Sequence, residues 1–411
     1  MSAVLLSILT AAVALGGLTV DQDVPPAAAP AAGVTVLSST HRIDFPEQIV
    51  IQLTADAPSD VRDVRIFYRV GQADARVYAY PKSFSNSGPL SARFVIQTGR
   101  GAFIPQGVDI EYYYVFTDSE GRETESDRFS FEFLDRRYDW KRMEFEDFTL
   151  LWHDRSERAV WSVGTDVSLR MARVKQMLGL DGDYNFKAVL VNDRAEASRS
   201  FPPVSQTSQD VFLYGGFAMG DHGALVLAGL NHDGLVHELT HLMVDEALDS
   251  RHGHTRIPAW LNEGIAMYFE PHGHQRDSEV RRAFARGDLI RLRHMGAVPG
   301  RPRDVRLFYS QSASIVQFMA DAFGEDRLAS LFSAIGDGKN VEQALIATYG
   351  LNIDQLDAAW RTHLSGRRSI LEVADPGSLG TSAIIGGALL ATATAATVGW
   401  IKRLRQSEPS E

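Results

Sequence analysis

The sequence predicts a multidomain chain in which an all-β sandwich is followed by a mainly helical α+β unit and then by a C-terminal membrane-spanning helix. Three observations carry that reading. Apolar residues alternate with period two from about residue 34 to 134, helical periodicity dominates from His232 onward, and residues 382–401 contain no charge. With 411 residues, the chain has room for two or three units at roughly 150 residues each.

Composition narrows the function classes. The 45% hydrophobic and 23% charged content is that of a globular protein. A formal net charge of −11 argues against nucleic acid as a partner, because phosphate binding needs a dense basic surface. The lack of cysteine excludes disulfides, thiolate metal sites and cysteine nucleophiles together.

In chain order, residues 1–20 hold the uncharged run SAVLLSILTAAVALGGLTV, which ends in small residues like the apolar region of a secretory signal peptide. No Lys or Arg precedes it, which leaves a short signal-anchor or a misassigned start as alternatives. Residues 21–33, DQDVPPAAAPAAG, are a Pro/Ala linker. Over residues 34–135 the series Ile49, Ile51, Leu53; Val64, Ile66, Tyr68; Phe94, Ile96; Ile110, Tyr112, Tyr114; and Phe129, Phe131, Phe133 marks the apolar faces of short strands. About seven such strands, separated by Gly, Pro, Asn and Ser turns, make a β-sandwich.

The unit at 136–367 is of mixed texture. Strands are expected from Phe148 to Trp152, Lys187 to Val191 and Gly223 to Leu227, with a helix over 157–179. Helices then follow over 232–248, 258–270, 276–286, 309–323, 326–335, 340–348 and 353–364. Strands first and helices afterwards define an α+β domain. Residues 368–381 form a polar stalk, and Ser382 to Ile401, SAIIGGALLATATAATVGWI, can cross a hydrocarbon core of about 30 Å as a transmembrane helix. Lys402, Arg403 and Arg405 in the tail 402–411 mark the cytoplasmic side. The expectation is a single-pass protein of the cell membrane with an extracellular ectodomain, and the lipid bilayer as a partner of its C-terminal helix.

The chemistry is concentrated in two segments. In GLVHELTHLMVDEAL, His237 and His241 lie four apart on a helix and so share one face, where both imidazoles reach one ion while Glu238 projects toward a water on it. In IPAWLNEGIAMYFE, Glu263 lies on a second helix that begins after Pro258. Two imidazoles and a carboxylate, with the fourth tetrahedral position left to water, are what a catalytic zinc site requires.

In the order H-E-L-T-H, loop, W-L-N-E-G-I-A, the chain resembles the gluzincin zinc metallopeptidases. The segment W-L-N-E-G-x-A-x-Y-F-E is similar to the corresponding helix of the aminopeptidase N and peptidase MA-like families, relatives of the thermolysin-type zincins. The resemblance covers roughly residues 140 to 365 and is weaker before 230. It implies a zincin-like domain, Zn2+ held by His237, His241 and Glu263, and Glu238 as the base that takes a proton from water and returns it to the leaving amine. It also implies a later side chain that stabilises the oxyanion, for which Tyr309 is the candidate, with Tyr268, nearby histidines or a merely structural Tyr309 as alternatives. Asn262 can orient the edge of the site, although a first-turn helix position is the plainer reading. Asp245 and Glu270 are placed to hold the outer nitrogens of the ligand histidines, or to be solvated helix faces. His222, His232, His252, His254, His272 and His274 cluster around the motifs, and none is assigned as a ligand.

Two further resemblances bear on substrate and on the sandwich. IEYYYVFTDSEGRETES resembles the late hairpin of fibronectin type III or immunoglobulin-like modules, which implies a spacer or binding module and no chemistry. Aminopeptidase N relatives carry a G-x-M-E-N strand whose glutamate binds the substrate amino terminus; here YGGFAMGDHGALVLAGL has Gly215 and Gly216 but no such glutamate. Exopeptidase action is therefore not implied, while the strand can still pair with an extended peptide. The expected function is that of a membrane-anchored zinc peptidase acting on a peptide or protein. The alternatives are a non-catalytic surface binding protein with a structural or lapsed site, and a zinc hydrolase acting on another electrophile such as an epoxide.

Overall fold

The computed structural model describes residues 33–366 except 74, 100, 202–214, 253–256 and 273–276. The apolar start, the linker as far as residue 32, the stalk, the expected transmembrane helix and the tail lie outside the described residues, as do His254 and His274. Among the described residues no helix is long and apolar enough to cross a membrane.

The amino-terminal strands are β1 (Thr35–Asp44), β2 (Gln48–Asp56), β3 (Val61–Val70), β4 (Val77–Ala79), β5 (Ser83–Ser85), β6 (Leu90–Gln97), β7 (Asp109–Asp118), β8 (Glu123–Glu125) and β9 (Phe129–Glu132). They form two antiparallel sheets, β1-β2-β6-β5 and β4-β3-β7-β8, with β9 also paired to β7. Ile49, Ile51, Leu53, Phe94 and Ile96 of the first meet Val64, Ile66, Ile110, Tyr112 and Tyr114 of the second in one buried cluster, as the alternation requires. Short strands escape the alternation: β4, β5 and β8 span three residues each, less than two full periods. β1 was hidden for another reason, being only partly buried along a polar sequence.

The rest of the chain runs β10 (Lys141–Glu144), β11 (Phe148–Trp152), α1 (Glu157–Leu178), β12 (Phe186–Val191), α2 (Arg194–Ala197), β13 (Gly216–Met219), β14 (Ala224–Ala228) and α3 (His232–His252). Then follow α4 (Ala259–Phe269), α5 (Asp277–Arg286), α6 (Pro302–Phe323), α7 (Glu325–Gly336), α8 (Val341–Tyr349) and α9 (Ile353–Leu364). The sheet order is β10-β11-β12-β14-β13, parallel at the centre and antiparallel at both edges. Strands and helices are thus not segregated as expected. Parallel neighbours need a crossover, and α1 supplies it between β11 and β12. Both faces of those central strands are covered, which is why every residue of β11 and β12 is buried. Leu150, Trp152, Leu190, Leu225 and Leu227 pack with Leu235, Val236, Leu239 and Leu242 of α3 on one face. Leu151, Val189, Val191 and Val226 pack with Ala197 and Phe201 on the other.

Two boundaries differ from expectation in ways that matter for the site. α6 begins at Pro302, which has no N–H to lose in a first turn, so Tyr309 sits two turns into the helix instead of opening it. β13 is four residues long and was not legible from periodicity; its pairing with β14 defines it.

α4 and α6 cross at Gly264, where a Cβ would lie 2.6 Å from the carbonyl oxygen of Ser312 and 2.6 Å from Val316 Cγ2. A backbone oxygen cannot swing aside. Gly264→Ala should therefore lower stability by ~1–2 kcal/mol net of its better helix propensity. The check is the urea midpoint at unchanged m-value; a midpoint equal to wild type would show that the crossing tolerates a side chain.

Candidate metal centre

α3 starts where Asn231 accepts the Leu235 N–H on its carbonyl at 2.9 Å and the Gly234 N–H on its side chain at 3.3 Å. Leu235, Val236 and Leu239 then lock the helix to the sheet, which turns His237 and Glu238 inward. α4 is placed from its own beginning. The N–H groups of Ala259 and Trp260 donate to the carbonyls of Gly296 and Met295 at 3.0 and 3.1 Å. The buried Gln311 of α6 accepts the Ile290 N–H and donates to the Ile290 carbonyl, both at 2.9 Å, and so ties down the start of this connecting segment.

The two helices bring His237, His241 and Glu263 together, and among the described residues no other such group converges. The Nε2 atoms of the histidines are 3.1 Å apart, and Glu263 Oε2 lies 3.2 Å from the first and 3.5 Å from the second. Ligands about 2.05 Å from a tetrahedral zinc would stand about 3.3 Å from one another. The chemistry of the donors agrees with the spacing. His237 Nδ1 lies 2.8 Å from Glu270 Oε1 and His241 Nδ1 lies 3.1 Å from Asn262 Oδ1, both acceptors. Each ring therefore donates through Nδ1 and turns an Nε2 lone pair toward the carboxylate. Three lone pairs at that separation repel unless a cation or a proton lies among them, and the residues fit zinc.

Charge follows the same logic. Burial opposes ionisation of Glu263, but the two imidazoles outweigh it and bring the carboxyl to about 2. Burial likewise opposes a charged His237, yet its hydrogen bonds to Glu263 and Glu270 push it up to about 10. His241 is also raised, against its burial, by the Glu263 carboxylate. Glu238 moves upward because it is buried, with both histidines pulling back.

Glu238 is held against β13. It accepts a hydrogen bond from the backbone N–H of Ala218, and a Cβ on Gly216 would lie 2.8 Å from its Oε1. Since Gly215 O accepts the Ala228 N–H, residues 215, 217 and 219 bond toward β14 while 216 and 218 face the open edge of the sheet. Edge strand and base therefore share one cleft.

Of the expected supporting residues, Glu270 holds His237. Asn262 holds His241 and is more than a first-turn helix residue. Asp245 is exposed and lies over Gly220. Tyr268 donates its hydroxyl to Glu325 and, with burial as the leading cause, is pushed up to about 12. Tyr309 is half-buried on α6, edge-on to Phe308 with ring centroids 5.7 Å apart. His272 pairs with Asp233 at 3.2 Å, and neither it nor His222 or His232 joins the ligand group. Gly216 lies in the strand that the sequence resemblance pointed to, whereas the Ala218 N–H had no sequence signal of its own.

Residues 221–366 match the model of the family described as Peptidase MA superfamily. The matched segment is the one that carries His237, His241 and Glu263. No curated protein matches the chain. Among solved structures, an M1 zinc metallopeptidase from Deinococcus radiodurans is similar at 12% identity and a TM-score of 0.39, covering 80% of this chain and 94% of that one. An aminopeptidase N family protein from Idiomarina loihiensis is similar at 8% identity and a TM-score of 0.32, covering 83% and 74%.

Glu270→Gln should weaken zinc binding by about 10- to 100-fold, because the neutral amide holds the His237 tautomer less firmly. Competition with a chromophoric chelator measures it, and unchanged affinity would remove Glu270 from the site. Because His237 keeps its proton up to about 10 in the metal-free protein, zinc must displace it. Apparent affinity should then rise with pH between 6 and 9 by about tenfold per unit for one displaced proton. Calorimetry in buffers of different ionisation enthalpy would show the release, and a flat profile would contradict it.

Proposed function

We propose that this chain is a membrane-anchored zinc peptidase that cleaves internal bonds of extended peptide substrates, with Glu238 as the general base. The observation that carries the reading is a buried carboxyl beside a convergent His-His-Glu set and against an open sheet edge. When bound by His237, His241 and Glu263, zinc supplies Lewis acidity, which polarises a carbonyl and brings the pKa of water to about 7.

The chain's own residues do the rest. Glu238 takes the proton of the attacking water and returns it to the leaving amine. Its burial raises its proton affinity, and the Ala218 N–H fixes its orientation. Glu270 and Asn262 hold the ligand rings in one tautomer. An extended peptide would add to β13 as a further strand, paired with the backbone of Gly216 and the carbonyl of Ala218, since the Ala218 N–H is engaged by Glu238. β13 and the turn after it contain no glutamate to bind a free amino terminus, which supports internal cleavage. Tyr309 is assigned as the oxyanion donor on the resemblance of its helix to peptidase MA-like sequences, and Tyr268 is engaged with Glu325. The sheets β1-β2-β6-β5 and β4-β3-β7-β8 correspond to the ABED and GFC sheets of immunoglobulin sandwiches with β4 as an added C′ strand, which supports an immunoglobulin-like unit over 34–135. Membrane attachment rests on the uncharged run 382–401 and the basic residues after it, and places the site outside the cell.

Glu238→Gln should retain zinc and lose about 10²- to 10⁴-fold in kcat on a mixed peptide substrate. Hydrolysis at the wild-type rate would sink the proposal. In the same assay Tyr309→Phe should lower kcat by about 10²- to 10³-fold with little change in KM; equal rates would place the oxyanion donor elsewhere.

A further inference from the structure

The amino-terminal sandwich grips the hairpin that carries the open strand of the site. A 3-10 turn, Gly220–His222, followed by Gly223 joins β13 to β14. The turn after β3 meets it. A Cβ on Gly71, at φ 55°, would lie 2.7 Å from the carbonyl oxygen of His222, and a Cβ on Gly223, at φ 61°, would lie 2.5 Å from Gln72 Cδ. Each glycine is thus backed by the residue beside the other, and both have a left-handed backbone.

Charge and burial fasten the same spot. Gly71 donates its N–H to the Asp109 carbonyl at 2.8 Å. Lys187 of β12 donates its backbone N–H to Gly223 O at 2.9 Å, and its ammonium lies 3.3 Å from both Asp109 and Glu132 of the sandwich. Ala224, the first residue of β14, is fully buried in the sandwich's own core. On its far side the hairpin sits on α3, where a Cβ on Gly220 would collide with Asp245, one turn beyond His241.

We infer that the sandwich is a positioning element for substrate, with the backbone turn at Gly71 seated against His222 and holding the β13 hairpin on α3 so that Gly216 and Ala218 stay beside Glu238. A four-residue edge strand paired on one side has little rigidity of its own. The metal ligands lie on α3 and α4, and among the described residues their rings are oriented by Glu270 and Asn262, outside the sandwich. The contact therefore governs where a peptide lies and leaves metal binding alone. The inference rests on the reading of β13 as the substrate strand.

The test uses the full chain with Gly223→Ala, Gln72→Ala and the pair, scored for zinc content, thermal unfolding and cleavage of a fluorogenic peptide that the wild type hydrolyses. Gly223→Ala collides with the Gln72 side chain and should raise KM by about tenfold or more with kcat within about twofold and zinc content unchanged. The pair should recover the part of that loss owed to the clash, because Gln72→Ala removes the atoms in the way while the left-handed φ of 61° at residue 223 stays the same in both. Wild-type KM in Gly223→Ala, or a pair no better than the single variant, overturns the inference. Should Gly223→Ala not fold, the pair is compared with Gln72→Ala: equal KM supports the inference, while a raised KM or a failure of the pair to fold overturns it. Glu238→Gln measured alongside separates the two levels, since its retention of activity would sink the peptidase reading itself.

Discussion

Three electron-rich atoms, held 3.1 to 3.5 Å apart in a largely apolar interior, are the constraint on which the rest of this structure turns. Such an arrangement is unfavourable without a positive charge at its centre, and it persists only because the surroundings determine it from several sides. Glu270 and Asn262 leave each imidazole one orientation. Asn262 comes from α4, which also provides Glu263, and Glu270 is the residue that caps its C-terminus. One helix with its cap thus supplies a ligand and both supports for the opposite helix, so the site depends on the α3–α4 packing and on little else.

That packing is secured at some distance from the chemistry. Gly264, next to Glu263, lets α6 approach so closely that a backbone oxygen occupies the space of a side chain. Gln311 of the same helix spends its amide on both backbone groups of Ile290, at the start of the segment that receives the first N–H groups of α4. A glycine and a buried amide therefore fix the approach and the entry of the ligand helix, and neither touches the metal-binding atoms.

The opposite wall of the cleft has another origin. β13 is an edge strand, and its outward backbone is what a peptide can pair with. It is steadied by β14, by α3 and by the end of the amino-terminal sandwich at Gly71 and Gly223. The sandwich thus contributes to the cleft wall through this contact.

How much of this was legible in the sequence depends on whether the information is local. The spacing of His237, Glu238 and His241 is a property of one helix, and the type of Glu263 is set by its motif, so the metal chemistry could be read from the chain. The buried faces of β2, β3, β6 and β7 and the extent of α1 were readable for the same reason: period two and period 3.6 are short-range signals. Tertiary structure alone decided that Asn262 orients His241 while Asp245 does not, because both positions look equally plausible on a helical wheel and only the crossing of two helices selects between them. It alone set the extent and pairing of β13, since GFAM is too short to show a period, and it alone paired Gly71 with Gly223 across more than a hundred residues. Sequence determined which atoms could bind a metal; the packing of distant elements decided which atoms orient them and where a substrate can lie.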